Sequence, residues 1–213
     1  MDRTSFFHYL KERINQPLPG REAHLRFAPS PVEGEHHFRM EAGEDAYDSS
    51  VMILLFEEQE GHPELILTLR TTSISHAGQI SFPGGRSDNG ETPSGTALRE
   101  TREEIGVPEE SIEIAGTLTK LFLDRSNNLI TPVVGYLPSK PKLTINPLEV
   151  EEAFTVSLEK LMDRENFSTR SLQLSDRVYD VPYWNIHPVP LWGATAMMLS
   201  ELLELYREYL EQE

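Results

Sequence analysis

Two short, mainly apolar runs of residues stand out in the first third of the chain, and the first of them is continuous. Residues 51–56 read Val-Met-Ile-Leu-Leu-Phe and residues 65–70 read Leu-Ile-Leu-Thr-Leu-Arg, with a polar stretch between them. Apolar runs of this length that are bounded by turn-forming residues are typical of buried strands. The pattern therefore predicts two buried strands joined by a hairpin.

Later segments repeat strand-like patterns and enclose one strong helix, predicted at residues 93–105. Thr92 is a favourable N-cap for this helix, Pro93 occupies its first position, and Gly106 supplies its C-terminal stop. Apolar residues at helical spacing predict the other helices, at residues 4–14, at residues 158–164 and in the tail from Gly193. The further predicted strands are residues 112–119, 129–137, 153–157, 171–174 and 178–184.

No internal repeat and no convincing linker divides the chain. Residues 29–50 are rich in Pro, Gly, Ser, Asp and Glu, and we interpret them as a surface loop. Residues 82–85, Phe-Pro-Gly-Gly, predict a turn, because proline fixes φ and consecutive glycines favour positive φ. We therefore expect one α+β domain over residues 1–213, with an N-terminal helix and loop extension at 1–45 and a core with a C-terminal helix at 46–213.

Composition and charge narrow the classes of function. The 213 residues are 38% hydrophobic and 25% charged, which is typical of a globular chain and excludes wholesale disorder or a membrane span. The formal net charge of -16 argues against nucleic acid or an anionic membrane surface as a partner. The chain has no cysteine, which excludes disulfides, thiolate nucleophiles and Cys-ligated zinc. Because no long apolar segment opens the sequence, the expected compartment is the cytoplasm.

The candidate chemistry lies on the strong helix. At about 100° per residue, its apolar positions gather on one side, whereas Glu100, Glu103 and Glu104 share a neighbouring arc. Arg99 and Arg102 could turn this acidic patch into a salt-bridged, solvated helix face. Alternatively, the carboxylates are the hard oxygen ligands that Mg²⁺ or Mn²⁺ prefers, together with oxygens of a substrate phosphate. The helix alone leaves both interpretations open.

The spacing of residues around the helix is more specific than the patch itself. The fixed positions match the signature of the Nudix hydrolases, and they are Gly85, Glu91, Arg99, Glu100, Glu103, Glu104, Gly106 and the apolar Val107. Only Thr101 departs, since it stands where this signature usually has an aliphatic residue. The resemblance implies the Nudix fold, a mixed β-sheet sandwiched between helices (α/β/α). It also implies hydrolysis of a nucleoside diphosphate linked to another moiety.

Carried over position by position, the resemblance implies a role for each of these residues. Glu100 and Glu104 resemble the principal ligands of Mg²⁺ or Mn²⁺, and Glu103 resembles a third ligand or the group that activates water. The remaining assignments are Arg99 as the catalytic-site residue that orients these carboxylates, Glu91 as an outer acid, and the carbonyl of Gly85 as a further metal ligand.

The general base can also come from outside the signature. In that case the nearby candidates are Glu149, Glu151 and Glu152, for which an exposed acidic turn is the alternative interpretation. The sequence does not decide which glutamate accepts the proton of water. All of these assignments depend on the resemblance.

Segments beyond the signature resemble the coenzyme A pyrophosphatase branch of the Nudix hydrolases. The similar segments are residues 65–71 and 76–85, with residues 18–20 near the start and 192–196 near the end. This likeness implies that CoA or an acyl-CoA is cleaved to 3′,5′-ADP and a 4′-phosphopantetheine product. It assigns Arg70, His76 and Arg86 to substrate binding, as local positive charge in an acidic protein.

The likeness to that branch is incomplete. Ser75 stands where branch members often carry a second arginine, and the loop before it is one residue short. Arg70 could instead be a surface cation at a strand end, and His76 a hydrogen-bonded loop residue.

Two other functions compete with hydrolysis of CoA. ADP-ribose, a dinucleotide or another nucleoside diphosphate derivative could be the substrate of the same reaction. A non-catalytic, nucleotide-binding module would be expected to lose a glutamate of the signature, yet all three on the helix are present. We expect a small-molecule substrate, no nucleic-acid or membrane partner, and a monomer or homodimer.

Overall fold

The computed structural model describes residues 5–34, 41–57, 62–71, 78–174 and 177–212, and these form an α+β fold. The strands are β1 (Ser30–Pro31), β2 (Tyr47–Glu57), β3 (Pro63–Arg70), β4 (Ile80–Ser81), β5 (Gly84–Arg86), β6 (Glu113–Thr117), β7 (Leu121–Leu123), β8 (Asn128–Leu137), β9 (Val150–Ser157), β10 (Phe167–Leu174) and β11 (Arg177–Trp184). The helices are α1 (Phe6–Arg13), α2 (Gly20–Leu25), α3 (Pro93–Ile105), α4 (Leu158–Met162) and α5 (Ala194–Leu210), with short 3₁₀ turns between some elements. Across these described ranges, no helix is both long and apolar enough to cross a membrane.

A mixed eight-stranded sheet forms the centre of the molecule. Its main path runs β4-β3-β2-β8-β6, with β5 paired to β2, β7 to β8 and β9 to β3. The central pair β2 and β8 is parallel, whereas the other pairs are antiparallel. A second, three-stranded antiparallel sheet has the order β1-β11-β10.

Helices cover both faces of the central sheet because successive residues of a strand point to opposite faces. On β2, Met52 and Leu54 pack in a cluster with Ala97 and Ile105 of α3. The alternate residues of the same strand pack with α1 and α5 in a larger cluster. The mixed sheet sandwiched between helices, which the sequence predicted, is thus confirmed.

The most strongly patterned elements lie where the sequence predicted them. The hairpin of β2 and β3 is antiparallel and pairs Leu55 with Leu65. Helix α3 has the predicted bounds, Pro93–Ile105. The helix predicted from residue 158 is shorter than expected, because Asp163 has extended backbone dihedrals and a separate 3₁₀ turn follows it.

The structure corrects the prediction of a turn at residues 82–85. Gly84–Arg86 is strand β5, paired with residues 49–51 of β2. A Cβ atom on Gly84 would lie 2.4 Å from the carbonyl oxygen of Ser50, so this glycine is required by the close approach of two strands. The sequence analysis identified these glycines as conformationally important. Their place in a strand could not be predicted because it depends on pairing with β2, which is distant in sequence.

The loop interpretation of residues 29–50 is also wrong in part. Strand β1 lies within this stretch, and β2 begins at Tyr47, although residues 35–40 lie outside the described residues. The sequence also missed α2, which packs against α5. Within this contact, the buried carboxylate of Glu201 on α5 accepts hydrogen bonds from the backbone N–H of Gly20 and from Nε2 of His24.

Candidate metal-dependent active site

Helix α3 is fixed by local chemistry at both ends. The hydroxyl of Thr92 accepts a hydrogen bond from the N–H of Gly95 over 3.1 Å. Gly106 ends the helix in the left-handed conformation, with φ of 72°. Thr101, which departs from the Nudix signature, is fully buried, and its hydroxyl donates to the carbonyl of Ala97 over 2.6 Å. This internal bond lets a hydroxyl occupy an apolar face.

Strand β5 lies directly against the acidic face of α3. A Cβ atom on Gly85 would lie 2.5 Å from Oε1 of Glu100, so any side chain at this position would collide with the carboxylate. The N–H of Gly84 donates to Oε2 of Glu104 over 3.3 Å. The absence of a side chain on Gly85 therefore lets the backbone of β5 approach the carboxylate of Glu100 closely.

Three carboxylates meet beside this strand. Glu100, Glu104 and Glu149 each place one oxygen within 4.8 Å of the others. Glu104 is only 1% exposed, whereas the other two are partly exposed. Glu149 is the residue directly before β9, so the cluster joins helix α3 to the start of this strand.

The environment of the cluster favours protonation in the absence of a bound cation. Burial raises the pKa of Glu104 to about 7, and repulsion from Glu100 and Glu149 adds to the rise, although Arg70 and the N–H of Gly84 oppose it. Burial also raises the pKa of Glu100, against the opposing effect of Arg99. Carboxylates that carry this penalty have a strong tendency to bind a positive charge.

Arg99 connects the cluster to the start of the helix. Its guanidinium donates to Glu91 over 2.8 Å, to Glu100 over 2.8 Å and to Glu103 over 3.1 Å. Hydrogen bonds from Arg99, from the N–H of Asp88 and from Thr96 lower the pKa of Glu91 to about 2. Glu91 thus anchors the arginine, and the arginine contacts two glutamates of the helix.

Glu103 lies apart from the cluster of three carboxylates. Its side chain is 45% exposed and pairs with Arg99 and Arg102, the second at 3.3 Å. The acidic arc predicted from helical spacing is therefore divided between two uses. Glu103 follows the salt-bridge interpretation, and Glu100 and Glu104 join a cluster that includes a residue from outside the helix.

The residues predicted to bind substrate have different surroundings. Arg70, at the end of β3, has Nη1 at 3.4 Å from Oε1 of Glu104 and so borders the cluster. Arg86 places its guanidinium 4.1 Å from the ring centroid of Tyr47, on the outer side of β5. His76 lies outside the described residues.

The register of β9 brings one of the three candidate glutamates to the cluster. Arg70 pairs with Val150 and Leu69 with Glu152, so the pairing skips Glu151 at a bulge. Glu149, just before the strand, reaches the cluster, whereas Glu152 is exposed and contacts His187 at 3.2 Å. The sequence analysis named these residues as candidate bases, and of the three Glu149 lies in the cluster.

Sequence reasoning missed Asn146. Its amide donates to the carboxylate of Glu149 over 3.0 Å. The signal was available, since Asn146 and Pro147 form an Asn-Pro pair directly before the acidic turn.

The donor set fits a hard divalent cation. Carboxylate oxygens are the ligands that Mg²⁺ and Mn²⁺ prefer, and Glu100, Glu104 and Glu149 provide them at a partly buried edge. The absence of a Cβ atom on Gly85 keeps its backbone beside Glu100. Burial is the main cause of the raised pKa of Glu104, and a dication at this edge would favour the charged carboxylate against both burial and the repulsion from Glu100 and Glu149.

Comparisons with known proteins agree with this architecture. The family model of the NUDIX domain matches residues 46–177. Nudix hydrolase 3 of Caenorhabditis elegans is 30% identical over 205 residues, which cover 87% of this chain and 85% of that protein. The uncharacterized Nudix hydrolase NudL of Photorhabdus laumondii is 33% identical over 144 residues, which cover 67% of this chain and 76% of that protein.

A solved structure supports the same fold. The Nudix hydrolase RenU of M. smegmatis has a TM-score of 0.52 and 17% identity, with 84% of this chain and 95% of that chain covered. At this identity the likeness concerns the fold alone. The family model extends over more than half of the chain and includes helix α3, and the match to the C. elegans relative covers 87% of the chain. On these grounds, the chain belongs to the Nudix hydrolase family.

Proposed function

We propose that this Nudix hydrolase cleaves the diphosphate of CoA or an acyl-CoA, with Mg²⁺ or Mn²⁺ held by Glu100, Glu104 and Glu149. Hydrolysis of a pyrophosphate bond is the activity that its family membership supports. The observation that carries the cation assignment is the meeting of three carboxylates within 4.8 Å. The choice of CoA depends on the resemblance of residues 65–71 and 76–85 to the CoA pyrophosphatase branch.

The proposed reaction adds water to one phosphorus atom and breaks its bond to the bridging oxygen. The products are 3′,5′-ADP and 4′-phosphopantetheine, or its acyl derivative. When bound, the cation would neutralise phosphate oxygens and lower the pKa of coordinated water. Glu104, Glu100 and Glu149 supply negative charge for it, and the Gly85 carbonyl is proposed as a further ligand.

The other residues orient these groups or contact the substrate. Arg99 holds Glu100 through one of its N–H groups, and Glu91 fixes the guanidinium from the opposite side. Glu103 remains a proposed third ligand or base, and for either role its carboxylate must exchange its salt bridges with Arg99 and Arg102. A carboxylate released in this way could accept the proton of the attacking water.

Arg70 is proposed to contact a phosphate of the substrate. It borders the cluster at Glu104 and is partly exposed, so it lies beside the proposed cation. An arginine in this position can bind phosphate oxygens through two N–H groups. His76 and Arg86 are proposed to contact the rest of the nucleotide. In a chain with a net charge of -16, such local cations would be needed to attract an anionic substrate.

The test is a panel of diphosphate substrates. The purified protein is incubated with CoA, an acyl-CoA, ADP-ribose and a dinucleoside polyphosphate, each with Mg²⁺, with Mn²⁺ and with EDTA. Chromatography should reveal 3′,5′-ADP from CoA, formed only with metal, and CoA or acyl-CoA should give the highest kcat/KM. A higher kcat/KM for ADP-ribose or the dinucleotide would show that CoA is not the preferred substrate, and the proposed type of reaction would stand. No cleavage of any compound would contradict the proposal.

The cytoplasmic compartment and the monomeric or homodimeric state stay predictions. They can be checked by localising a tagged chain in cells and by measuring the mass of the purified protein in solution.

A further inference from the structure

Glu149 is the member of the cluster that α3 does not position. It follows a segment, residues 138–149, that connects β8 to β9 and has no helix or strand of its own. Leu148, the residue before it, is 76% exposed, whereas Val150, the residue after it, is buried. Repulsion from Glu100 and Glu104 would tend to drive the Glu149 carboxylate towards solvent. A specific restraint is therefore needed.

Asn146 supplies a restraint that reaches back to the helix. Its backbone N–H donates to the carbonyl of Glu104 over 2.9 Å. Its own carbonyl accepts from the N–H groups of Glu149 and Val150 over 3.1 and 2.9 Å. One residue thus joins the backbone of a helix ligand to the backbone of the ligand from outside the helix.

The side chain of Asn146 completes this connection. Its Oδ1 accepts from the N–H of Leu148 over 3.1 Å, and its Nδ2 donates to Oε1 of Glu149 over 3.0 Å. The orientation of the amide is determined, because a backbone N–H can only donate and a carboxylate can only accept. The amide therefore shapes the turn with one end and holds the carboxylate with the other.

A second restraint acts from the opposite side of Glu149. The N–H of Thr71 donates to the carbonyl of Glu149 over 3.0 Å, and its hydroxyl donates to the carbonyl of Leu148 over 3.1 Å. Thr71 follows Arg70 directly, so this side of the segment is attached to β3. The backbone around Glu149 is thereby fixed between the sheet and Asn146, and the Asn146 amide is left to orient the side chain.

We propose that Asn146 is a positioning residue that holds the carboxylate of Glu149 in the cation-binding cluster with Glu100 and Glu104. This inference rests on the proposed function, because it assigns a role toward the same cation. Partners of this kind, which hydrogen-bond a metal ligand, typically change metal affinity or activity by about 10–100-fold when they are replaced. Asn146 itself does not need to contact the substrate or the cation.

The experiment is a double-mutant cycle read out by Mn²⁺ binding. The variants Asn146→Ala, Glu149→Gln and the double variant are prepared as full chains, and electron paramagnetic resonance of free Mn²⁺ gives each dissociation constant. Asn166→Ala is the matched control, since Nδ2 of Asn166 makes a 2.9 Å bond to the carbonyl of Lys160 in an unrelated turn. Thermal unfolding in EDTA measures the stability of each variant without metal.

Asn146→Ala should raise the dissociation constant of Mn²⁺ about tenfold or more, and Asn166→Ala should leave it unchanged. In the Glu149→Gln background, loss of Asn146 should add less than about twofold, because its effect acts through Glu149. Equal losses of affinity in both backgrounds would assign Asn146 a general structural role and overturn the inference. Unchanged affinity in Asn146→Ala would overturn it as well.

A second variant covers the case in which Asn146→Ala does not fold. Asn146→Ser keeps a hydroxyl that can accept from the N–H of Leu148 but is too short to reach Glu149. It should lose affinity for Mn²⁺ as the alanine variant does, and wild-type affinity would contradict the proposal. Glu104→Gln separates the two levels of inference. If Glu104→Gln and the Asn146 variants all bind Mn²⁺ like wild type, the proposed cation site is wrong. If Glu104→Gln loses affinity but the Asn146 variants do not, only the role of Asn146 is overturned.

Discussion

Two glutamates of this protein are equally buried and yet have opposite electrostatic surroundings. Glu104 on α3 is 1% exposed and Glu201 on α5 is 0% exposed. Burial raises the pKa of Glu104 to about 7. At Glu201 burial also acts to raise the pKa, but hydrogen bonds from His24 and Thr119 outweigh it, so the pKa lies below its ordinary value.

The difference lies in the donors that each carboxylate receives. Glu201 accepts bonds from the N–H of Gly20, from Nε2 of His24, and from both the N–H and the hydroxyl of Thr119, the shortest at 2.6 Å. Glu104 accepts two longer bonds, of 3.3 and 3.4 Å, and faces two further carboxylates.

The contrast is between a carboxylate that the protein's own donors satisfy and one that they satisfy only in part. The protein satisfies Glu201 with its own donors, and the result joins α2, α5 and the segment after β6. It leaves Glu104 with an excess of negative charge that a ligand from solution can neutralise. Perturbed ionisable groups with incomplete partners are typical of functional sites, whereas complete networks are typical of structural ones.

The largest expected effect comes from Glu104→Gln. If Glu104 supplies several kcal/mol of transition-state stabilisation through a bound cation, kcat/KM should fall by about 10³-fold. At pH 8 in EDTA, the unfolding midpoint should stay at or above that of wild type, because a buried charge beside two carboxylates is removed. Steady-state kinetics and thermal unfolding provide the two measurements.

The control for this variant is Glu110→Gln, which alters an exposed glutamate in the 3₁₀ turn just after α3. It should leave both quantities unchanged. Normal turnover in Glu104→Gln would show that Glu104 is not part of the active site, and it would contradict the functional difference from Glu201.

Glu201→Gln should show the converse result. In the variant, the NH₂ group of the glutamine replaces one carboxylate oxygen and faces donor groups of Gly20, His24 or Thr119 without an acceptor. The free energy of unfolding should therefore fall by about 3 kcal/mol. Because this network lies outside the cluster, kcat should remain unchanged at temperatures where the variant is folded. Denaturant unfolding measures the loss, and a stability equal to wild type would show that the network contributes little.

A divalent cation should stabilise the protein through the cluster. At a Mn²⁺ concentration of 100 times the dissociation constant, binding adds about 2.7 kcal/mol to the free energy of unfolding. For a chain of this size that corresponds to a rise of about 5–10 °C in the midpoint. Calorimetric scans with and without Mn²⁺ should show this rise in wild type and in Glu201→Gln, but not in Glu104→Gln. A rise that persists in Glu104→Gln would place the cation elsewhere.

The smallest effect concerns the acid side of the stability profile. The folded-state pKa of Glu201 is lower than its ordinary value of 4.5, so the unfolded chain binds the proton first as the pH falls. Glu201 therefore contributes stability above about pH 4.5, and this contribution is lost as the pH falls through the folded-state pKa. Unfolding free energies measured from pH 6 to 3 should decline less steeply in Glu201→Gln than in wild type. Parallel profiles would contradict this assignment.

Local chemistry accounts for the parts of the fold that the sequence predicted best. Thr92 and Gly106 mark the ends of α3 through interactions within a few residues, so its bounds could be read directly. The buried strands β2 and β3 were predicted because short, mainly apolar runs bounded by turn-forming residues are typical of buried strands. By contrast, α2 is short, and its position depends on hydrogen bonds to Glu201. Because Glu201 is distant in sequence, no local pattern predicts this contact.

The Nudix signature identified α3 as the helix that carries the glutamates, but it did not determine which contacts each glutamate makes. Helical spacing puts Glu100, Glu103 and Glu104 on one arc, and geometry along one helix cannot distinguish them further. The distinction arises because β5 lies against Glu100 and Glu104, whereas Glu103 is more exposed and pairs with Arg102 as well as with Arg99.

What the sequence alone determined is the family, the type of reaction and the helix that carries the acidic residues, because these depend on residue types at fixed local spacing. The tertiary structure decided that Glu149 joins Glu100 and Glu104, and that Asn146 holds it there. Those contacts depend on the bulge between β3 and β9 and on a turn packed against the end of α3. Such pairings form between segments distant in sequence, so no local pattern specifies them.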